Sequence, residues 1–272
     1  MVTVEDIREG AREVGLSGRA VCAHSSLRSF GWVEGGAATV VNGLLEEGCT
    51  VMVPTFSWRF GVPPPPGRRP PRNGWDYEAY EGPTSGIGRI YTPESHEIGR
   101  EAMGAIPAYV LTIPGRLRGI HPLCSFAAVG PLASELISRQ TPLDVFGHLK
   151  ALGEMNGLVV MMGVPLTTMT LLHLAEQRAG RNSFRRWANG PDGRVMETAC
   201  GGCSDGFDNF EPLVGPLAEE RKVGESLWRV FIAEDVVAVA AEAIRQNPGI
   251  THCGKPECER CNDSVLGGPI LD

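Results

Sequence analysis

The sequence predicts a layered α/β fold in which a mostly buried β-sheet packs against helices. Short apolar runs alternate along the chain with segments that have a helical period. These runs contain too few polar residues to leave one face in water, which is typical of strands that are covered on both sides. A chain of 272 residues is long enough to bury a large core as one domain.

The predicted elements follow one another in a regular order. Near the start, Thr3 and Asp6 have the spacing of a capping box, which predicts an amphipathic helix. The strand AVCAH comes next, then a helix over 37–47 that ends before Gly48, then the strand TVMVPTF. Later, the strand GLVVMMG leads into the helix MTLLHLAEQRAG. This alternation of strands and helices is what predicts the layers.

Residues 57–90 are predicted to form a long surface loop inserted into the domain. Four consecutive prolines in GVPPPPGRRPP exclude a helix or a central strand there. The second half of the loop, WDYEAYEG, is aromatic and acidic, and loops of this length in compact domains usually bind something or are disordered. Two interpretations stay open, namely an ordered wall of a binding site and a solvated insertion.

Composition limits the classes of partner. The formal net charge of −7 argues against nucleic acid and favours cationic partners. No apolar run reaches about 18 residues, and the first helix pattern does not fit a signal peptide. We therefore expect a cytoplasmic protein without a membrane partner, in which the eight cysteines are reduced.

The segment HSSLRSFGWVEGG, residues 24–36, joins the first strand to the second helix. A polar turn followed by Gly35 and Gly36 would expose backbone N–H groups to a phosphate or a carbonyl at the start of the helix. By itself, the pattern also fits a glycine turn in which Ser25 or Ser26 caps backbone groups.

Two further stretches contain histidines in notable positions. In HPLCSFAAVG, His121 precedes a proline, so its backbone is biased towards an extended or turn conformation, and a histidine is easily poised for proton transfer. In GVPLTTMTLLHLAE, His173 and Glu176 are three residues apart and so lie on one side of a helix whose Leu171, Leu174 and Ala175 are expected to pack inward.

In this order, the stretches resemble the aminoglycoside 3-N-acetyltransferase family. The resemblance spans roughly residues 3–245 and rests on HSSLRSFGWVEGG, MGAIP, HPLCSFAAVG, GVPLTTMTLLHLAE and DGFDNFEPLV with RKVGESLWRVF. It implies a three-layer α/β/α sandwich around a mixed sheet. It also implies transfer of an acetyl group from acetyl-CoA to the 3-amine of an aminoglycoside, which gives antibiotic resistance, and it allows a homodimer. The chain would then be one acetyltransferase domain over 1–250 with a cysteine-containing tail over 251–272.

The resemblance assigns the catalytic pair to His121 and Glu176. An aliphatic ammonium cannot attack a thioester until a base removes a proton, so His121 would be that base and Glu176 would orient its ring. The alternative is a packed or capping His121 and a solvated Glu176. From its position, Ser125 is a candidate donor to the thioester oxygen.

The resemblance also places the acetyl-CoA site on the 24–36 segment. Trp32 is expected in the core. The residues expected to contact the cofactor, or to let it approach main-chain N–H groups, are Ser25, Ser26, Leu27, Ser29, Gly31, Val33, Gly35, Gly36 and Phe126.

Carboxylates are expected on the acceptor side because aminoglycosides carry several ammonium groups. Each acidic residue can also be a solvated surface group. The candidates are Asp76, Glu78 and Glu81 in the loop, with Asp205 and Asp208 after it.

Five late cysteines contain two C-x2-C pairs, a spacing that suits structural zinc. They are Cys200, Cys203, Cys253, Cys258 and Cys261. Nothing in the sequence shows that the two pairs meet, so we expect free thiols and no bound metal, with structural zinc as the alternative.

Three other functions stay open at this point. The first is a CoA-dependent N-acyltransferase that acts on a different amine. The second is a hydrolase that uses Cys124 as nucleophile, although neighbours in an extended segment point apart and a packed cysteine is expected. The third is a zinc-binding interaction protein.

Overall fold

The computed structural model describes residues 1–271 and contains a seven-stranded mixed sheet with the order β4-β5-β2-β1-β6-β10-β9. A second, three-stranded antiparallel sheet has the order β3-β7-β8. The strands are β1 Ala20–Ser25, β2 Thr50–Pro54, β3 Gly61–Val62, β4 Leu117–Arg118, β5 Phe126–Val129, β6 Leu158–Met162, β7 Phe184–Asn189, β8 Val195–Cys200, β9 Glu219–Val223 and β10 Ser226–Ile232.

Helices cover both faces of the large sheet. They are α1 Val4–Glu13, α2 Ala37–Glu46, α3 Arg100–Met103, α4 Ala105–Val110, α5 Ala133–Ile137, α6 Gly147–Glu154, α7 Leu171–Arg178, α8 Glu211–Val214, α9 Ala233–Gln246 and α10 Glu259–Val265. Short 3-10 helices lie at Leu27–Phe30, Trp58–Phe60, Leu166–Thr168, Phe207–Phe210, Gly215–Leu217 and Pro248–Thr251.

The large sheet has one hydrophobic core on each of its faces, which gives the three layers. Strand β1 is parallel to both β2 and β6, and its side chains alternate between the cores. Cys22 joins the core formed with α6, α7 and α9, whereas Val21 joins the core formed with α1, α2 and α4. The predicted α/β/α sandwich around a mixed, buried sheet is confirmed.

Local signals position the elements as the sequence indicated. The side chain of Thr3 accepts a hydrogen bond from the backbone of Asp6, and the Asp6 carboxylate accepts one from Thr3. Helix α2 ends at Glu46, followed closely by Gly48, which has a positive φ of 74° that suits glycine. Both predictions are confirmed.

The 57–90 insertion is folded against the small sheet. It contributes the two-residue edge strand β3 at Gly61–Val62, which pairs with β7 immediately before the four prolines. The ring of Trp75 stacks on the guanidinium of Arg186 at 3.7 Å, and Tyr80 packs edge-on against Trp75. These cation–π and aromatic contacts fix the aromatic half of the loop against the small sheet.

Trp32 differs from expectation, and the cysteine-containing tail has a defined structure. Trp32 is 75% exposed, so its predicted place in the core is wrong. Residues 251–271 of the expected tail fold onto the domain, where Ser264 of α10 donates a hydrogen bond to Glu176 at 2.9 Å. Within residues 1–271, every helix is too short or too polar to cross a membrane.

His148 on α6 is a fully buried histidine whose two ring nitrogens have no hydrogen-bond partner among the described residues. Burial lowers its pKa from 6.5 to about 3, with His121 adding to the effect. The unfolded chain therefore takes up this proton first as pH falls, and the folded state loses stability between pH 6.5 and about 3.

The free energy of unfolding of the His148→Leu variant is expected to fall less steeply than that of the wild type as the pH decreases. One such histidine contributes up to about 1.4 kcal/mol per pH unit, and leucine removes that proton uptake while filling a similar space against Phe126. Urea unfolding at pH 8, 6 and 5 measures the slope. If the slope is the same in both proteins, another group causes the acid dependence.

Candidate functional site

A cleft of about 740 Å³ opens at the carboxyl ends of strands β1, β2 and β6. This edge is where open α/β sheets usually bind ligands. Its lining comes from the segments that follow the three strands, namely 25–28, Pro54 with Phe56, and 164–170. Residues 101–105, His173 and Ser204 complete the wall.

Helix α7 presents His173 to this cleft from its first turn. Leu171, Leu174 and Ala175 are buried, as predicted, so the opposite side of the helix is fixed in the core. Side chains three positions apart lie on the same side of a helix, so the side chain of Glu176 lies next to that of His173. The Nδ1 atom of His173 lies 2.7 Å from Oε2 of Glu176.

The Nδ1 contact determines which ring nitrogen of His173 can act. A carboxylate accepts a hydrogen bond from Nδ1–H, which leaves the lone pair on Nε2. Nε2 has no hydrogen-bond partner among the described residues. The ring is held on the far side by Phe207, whose ring centre is 4.7 Å away, and by Gly201. A Cβ at position 201 would lie 2.6 Å from Cδ2 of His173, so glycine is required there.

Glu176 is buried within a set of donors. Its Oε1 atom accepts from Nη1 of Arg181 at 2.7 Å and from Oγ of Ser264 at 2.9 Å. Burial by itself raises the pKa of Glu176, but His173, Arg181 and Ser264 together outweigh it, so the pKa lies below its usual range. The carboxylate is therefore charged at neutral pH and can stabilise an imidazolium at His173.

The predicted His121–Glu176 pair is wrong. His121 is fully buried, its Nδ1 atom accepts from the backbone of Leu123 and Cys124, and its Nε2 atom lies 2.8 Å from the carbonyl oxygen of Ala199. Both ring nitrogens thus hydrogen-bond the backbone. This is the alternative stated above, in which His121 is a packed or capping histidine. The signal for His173 was present in the sequence as its three-residue spacing from Glu176.

Ser125 is also removed from the cleft. Its hydroxyl donates to the carbonyl of Thr55 at 3.0 Å and accepts from Nε of Arg118 at 3.0 Å, and the residue is fully buried. A role as donor to a thioester oxygen is contradicted by this burial. Ser25 is better placed, because it lines the cleft and its buried Oγ atom has no partner among the described residues.

His24 is a second histidine on the cleft wall, which sequence reasoning did not single out. It is 4% exposed, and burial lowers its pKa to about 4, so it is neutral at pH 7. A group that holds a proton so weakly is a poorer general base near neutral pH than a carboxylate-paired histidine.

The structure brings part of the predicted cofactor segment to the cleft. Ser25, Ser26 and Leu27 line it, together with Arg28. Of the other predicted cofactor residues, those in the 24–36 segment shape that segment, whereas Phe126 lies on β5 and lines a smaller cavity of about 180 Å³ together with His173. Gly31, Gly35 and Gly36 adopt positive φ angles, Ser29 hydrogen-bonds Ser226 at 2.8 Å, and Val33 and Phe126 are buried.

A second cleft of about 750 Å³ adjoins the first through Leu27 and Ala105. Its lining contains Arg59, Arg89, His96 and Glu97, and it includes Ala37 at the start of α2. The first-turn N–H groups of a helix have no intrahelical acceptor and favour anions. The second cleft thus combines cationic side chains with a helix N-terminus.

The predicted acceptor carboxylates are not among the residues that line the first cleft. Asp76 accepts backbone hydrogen bonds in its own turn, Asp205 pairs with Lys255 at 3.2 Å, and Asp208 accepts from the backbone of Thr167. Glu78 and Glu81 are exposed and do not line the first cleft. Among the described lining residues, the carboxylate comes from Glu101. Asp205 follows the lining residue Ser204, and Asp208 holds the backbone of the lining residue Thr167, so the assignment of these carboxylates to the acceptor stays a prediction.

Six of the eight cysteines form two groups. Cys124 and Cys200 are buried, with their sulfurs 3.3 Å apart beside His121, and the other group is Cys203, Cys253, Cys258 and Cys261. Burial raises the pKa of Cys124 well above its usual value, so the thiol is a poor nucleophile. With both nitrogens of His121 engaged, the alternative of a Cys124 hydrolase is not supported.

Comparison with known proteins gives a consistent result. A family model described as aminoglycoside 3-N-acetyltransferase matches residues 22–245. Aminoglycoside N(3)-acetyltransferase IX of Micromonospora chalcea is 34% identical over 68% of this chain, a match that spans 65% of that protein. Aminoglycoside N(3)-acetyltransferase VIII of Streptomyces fradiae is 30% identical over 86% of this chain and 88% of its own length.

Solved structures are similar over nearly the whole chain. A mutant of aminoglycoside acetyltransferase AAC(3)-IVa in complex with gentamicin has a TM-score of 0.76 and 22% identity, covering 98% of this chain and 97% of that one. AAC-IIIb with CoASH has a TM-score of 0.71 and 22% identity, covering 90% and 96%. These likenesses establish a shared fold.

Proposed function

The chain belongs to the aminoglycoside 3-N-acetyltransferase family, and we propose that it transfers an acetyl group from acetyl-CoA to the 3-amine of an aminoglycoside, with His173 as the general base. The observation that carries this proposal is the His173–Glu176 pair at the wall of the large cleft. The names of the relatives, and the complexes of similar structures with gentamicin and with CoASH, support the choice of substrates.

The reaction proceeds by direct transfer between two bound substrates. Nε2 of His173 removes a proton from the acceptor ammonium, and the amine nitrogen attacks the thioester carbonyl carbon. The C–N bond forms and the C–S bond breaks. The CoA thiolate leaves and takes up the proton that the imidazolium holds, and the second proton of the attacking nitrogen then leaves to His173 and solvent, so that the products are the neutral amide, CoASH and one released proton. Glu176 stabilises the imidazolium between these steps, and the free hydroxyl of Ser25 is a donor for the carbonyl oxygen.

The two adjoining clefts suit the two ends of acetyl-CoA. The thioester end lies in the first cleft near Ser25 and His173, and the pantetheine passes Leu27. The phosphates then reach the second cleft, where Arg59 and the start of α2 provide positive potential. This arrangement leaves the 101–105 side of the first cleft, with Glu101, for the cationic acceptor.

The Arg59→Glu variant is expected to raise KM for acetyl-CoA about tenfold or more while kcat stays close to wild type. Arg59 is exposed in the second cleft and far less constrained than Arg89, which pairs with Glu97. Steady-state kinetics with varied acetyl-CoA measure the change. Arg194→Glu, on the exposed end of the β7–β8 hairpin, is the matched charge-reversal control. An unchanged KM in Arg59→Glu contradicts the phosphate assignment.

Mass spectrometry of reactions with acetyl-CoA and a panel of deoxystreptamine antibiotics tests the proposed activity. A product heavier by one acetyl group, with fragmentation that locates the acetyl on the 3-amine, is the expected result. Resistance of a susceptible host that expresses the protein, and its loss with His173→Ala, links that chemistry to protection. Acetylation at another position, or of amines outside this class only, contradicts the acceptor assignment and favours a related N-acyltransferase.

A further inference from the structure

Four cysteines from two distant parts of the chain meet beside the catalytic pair. Cys203 follows strand β8, whereas Cys253, Cys258 and Cys261 lie at the start of α10 and in the turn before it. Their sulfur atoms all lie within 4.8 Å of one another. No part of the proposed reaction uses them.

The sulfur arrangement fits a tetrahedral metal centre. Zinc–thiolate bonds of about 2.3 Å place the sulfurs of a regular tetrahedron about 3.8 Å apart, so a small contraction of the observed cluster is sufficient. Four protein ligands fill the coordination sphere and leave no open position, which is typical of a structural zinc site rather than a catalytic one.

Backbone and side-chain contacts preorganise the cluster. Cys258 is the N-cap of α10 and Cys261 lies in its first turn, so the C-x2-C spacing turns both sulfurs to one side. The backbone N–H of Cys253 donates to the sulfur of Cys261 at 3.4 Å. The ion pair between Asp205 and Lys255 at 3.2 Å joins the two cysteine-bearing segments.

We propose that Cys203, Cys253, Cys258 and Cys261 bind one structural Zn²⁺ as thiolates. This proposal replaces the expectation of free thiols with the alternative of structural zinc that the two C-x2-C pairs suggested. One ligand differs from those pairs, because Cys253 takes the place of Cys200. Cys200, the partner of Cys203 in its C-x2-C pair, lies with Cys124 instead. That second group does not bind metal in this arrangement, because both ring nitrogens of His121 already contact the backbone.

The zinc site stabilises the wall of the catalytic centre. Two residues before Cys203, Gly201 packs against the ring of His173. Three residues after Cys261, Ser264 donates to Glu176. A metal that joins the two segments therefore fixes the contacts on both members of the His173–Glu176 pair.

Metal analysis of the purified full-length protein, produced in zinc-supplemented medium, tests the proposal independently of its enzymatic activity. About one zinc per chain is expected in the wild type and less than about a tenth of that in Cys258→Ser. Cys49→Ser is the matched control, since Cys49 is a buried thiol that donates to the carbonyl of Leu16, a contact serine retains. A wild-type protein without zinc, or full zinc content in Cys258→Ser, overturns the proposal.

Measurements on the wild type keep the test decisive if Cys258→Ser does not fold. Replacement of zinc by Co²⁺ is expected to give the thiolate charge-transfer and tetrahedral d–d absorption of a site with four thiolate ligands. Removal of zinc by a chelator is expected to lower Tm by about 5 °C or more and to make the half-exposed Cys253 and Cys258 reactive towards a thiol reagent. An octahedral cobalt spectrum, or disulfides within the cluster in the freshly purified protein, overturns the assignment.

Discussion

The His173→Ala variant is expected to lower kcat about 10²–10⁴-fold, the usual contribution of a positioned general base. The acceptor amine is charged at neutral pH and does not attack until a proton is removed. In this structure the imidazole that lines the cleft, with its Nδ1 fixed by Glu176, is His173. Steady-state kinetics measure kcat and KM, and binding of acetyl-CoA to the variant shows that the cofactor site is intact.

His121→Asn discriminates between the two histidines. The ring nitrogens of His121 hydrogen-bond backbone groups in the interior, so its loss is expected to lower stability while the folded fraction keeps kcat within a few-fold of wild type. The pH profile gives a further readout. Catalysis by a general base predicts a rate that rises towards alkaline pH, and that rise should be lost in His173→Ala and kept in His121→Asn. Near-normal activity of His173→Ala, with a severe kcat loss in folded His121→Asn, contradicts the assignment.

Much of the fold was predictable because its signals are local. The capping box of Thr3, the apolar strand at 158–162 and the spacing of Leu171, Leu174 and Ala175 all act within a few residues, and each formed as predicted. The prediction for Trp32 was wrong because a single aromatic residue between glycines has no periodic neighbours that indicate whether it faces the core or the solvent.

The site was harder to predict because its contacts join distant segments. The carbonyl oxygen of Ala199 hydrogen-bonds a ring nitrogen of His121, although the two residues are 78 positions apart in the sequence. No local sequence pattern predicts that contact. The three-residue spacing of His173 and Glu176 was visible, but their access to the cleft depends on where β6 and Gly201 lie. The meeting of Cys203 with the late cysteines likewise depends on the fold of residues 201–261.

The acidic residues of the acceptor site are difficult to locate from sequence for a related reason. Composition shows how many carboxylates a chain has, but not which ones face a cavity. Asp76 and Asp205 are used in a turn and in an ion pair on the surface, whereas Glu101 reaches the cleft from α3. Charge balance therefore predicted the kind of partner without locating its contacts.

The Arg181→Ala variant is expected to lower the free energy of unfolding by about 3–5 kcal/mol at pH 7, because removing one member of a buried ion pair leaves the other charge uncompensated. The side chains of Arg181 and Glu176 are only 7% and 9% exposed. Arg181 also donates to Thr251 at 2.7 Å and to the carbonyl of Pro248 at 2.6 Å, so the C-terminal segment loses its attachment as well. Denaturant unfolding measures the difference.

Arg178→Ala is the matched control for Arg181→Ala, since Arg178 ends the same helix and pairs with Glu234 in solvent, where an ion pair contributes at most about 1 kcal/mol. The pH dependence separates charge from packing. The pKa of Glu176 is lowered in the folded protein, so its contribution is present above pH 4.5 and is lost as pH falls through the folded value. The difference in the free energy of unfolding between wild type and Arg181→Ala should therefore become smaller at acid pH. A gap that is constant with pH means that Arg181 stabilises the fold by packing, and that His173 and Ser264 are sufficient to hold the Glu176 carboxylate.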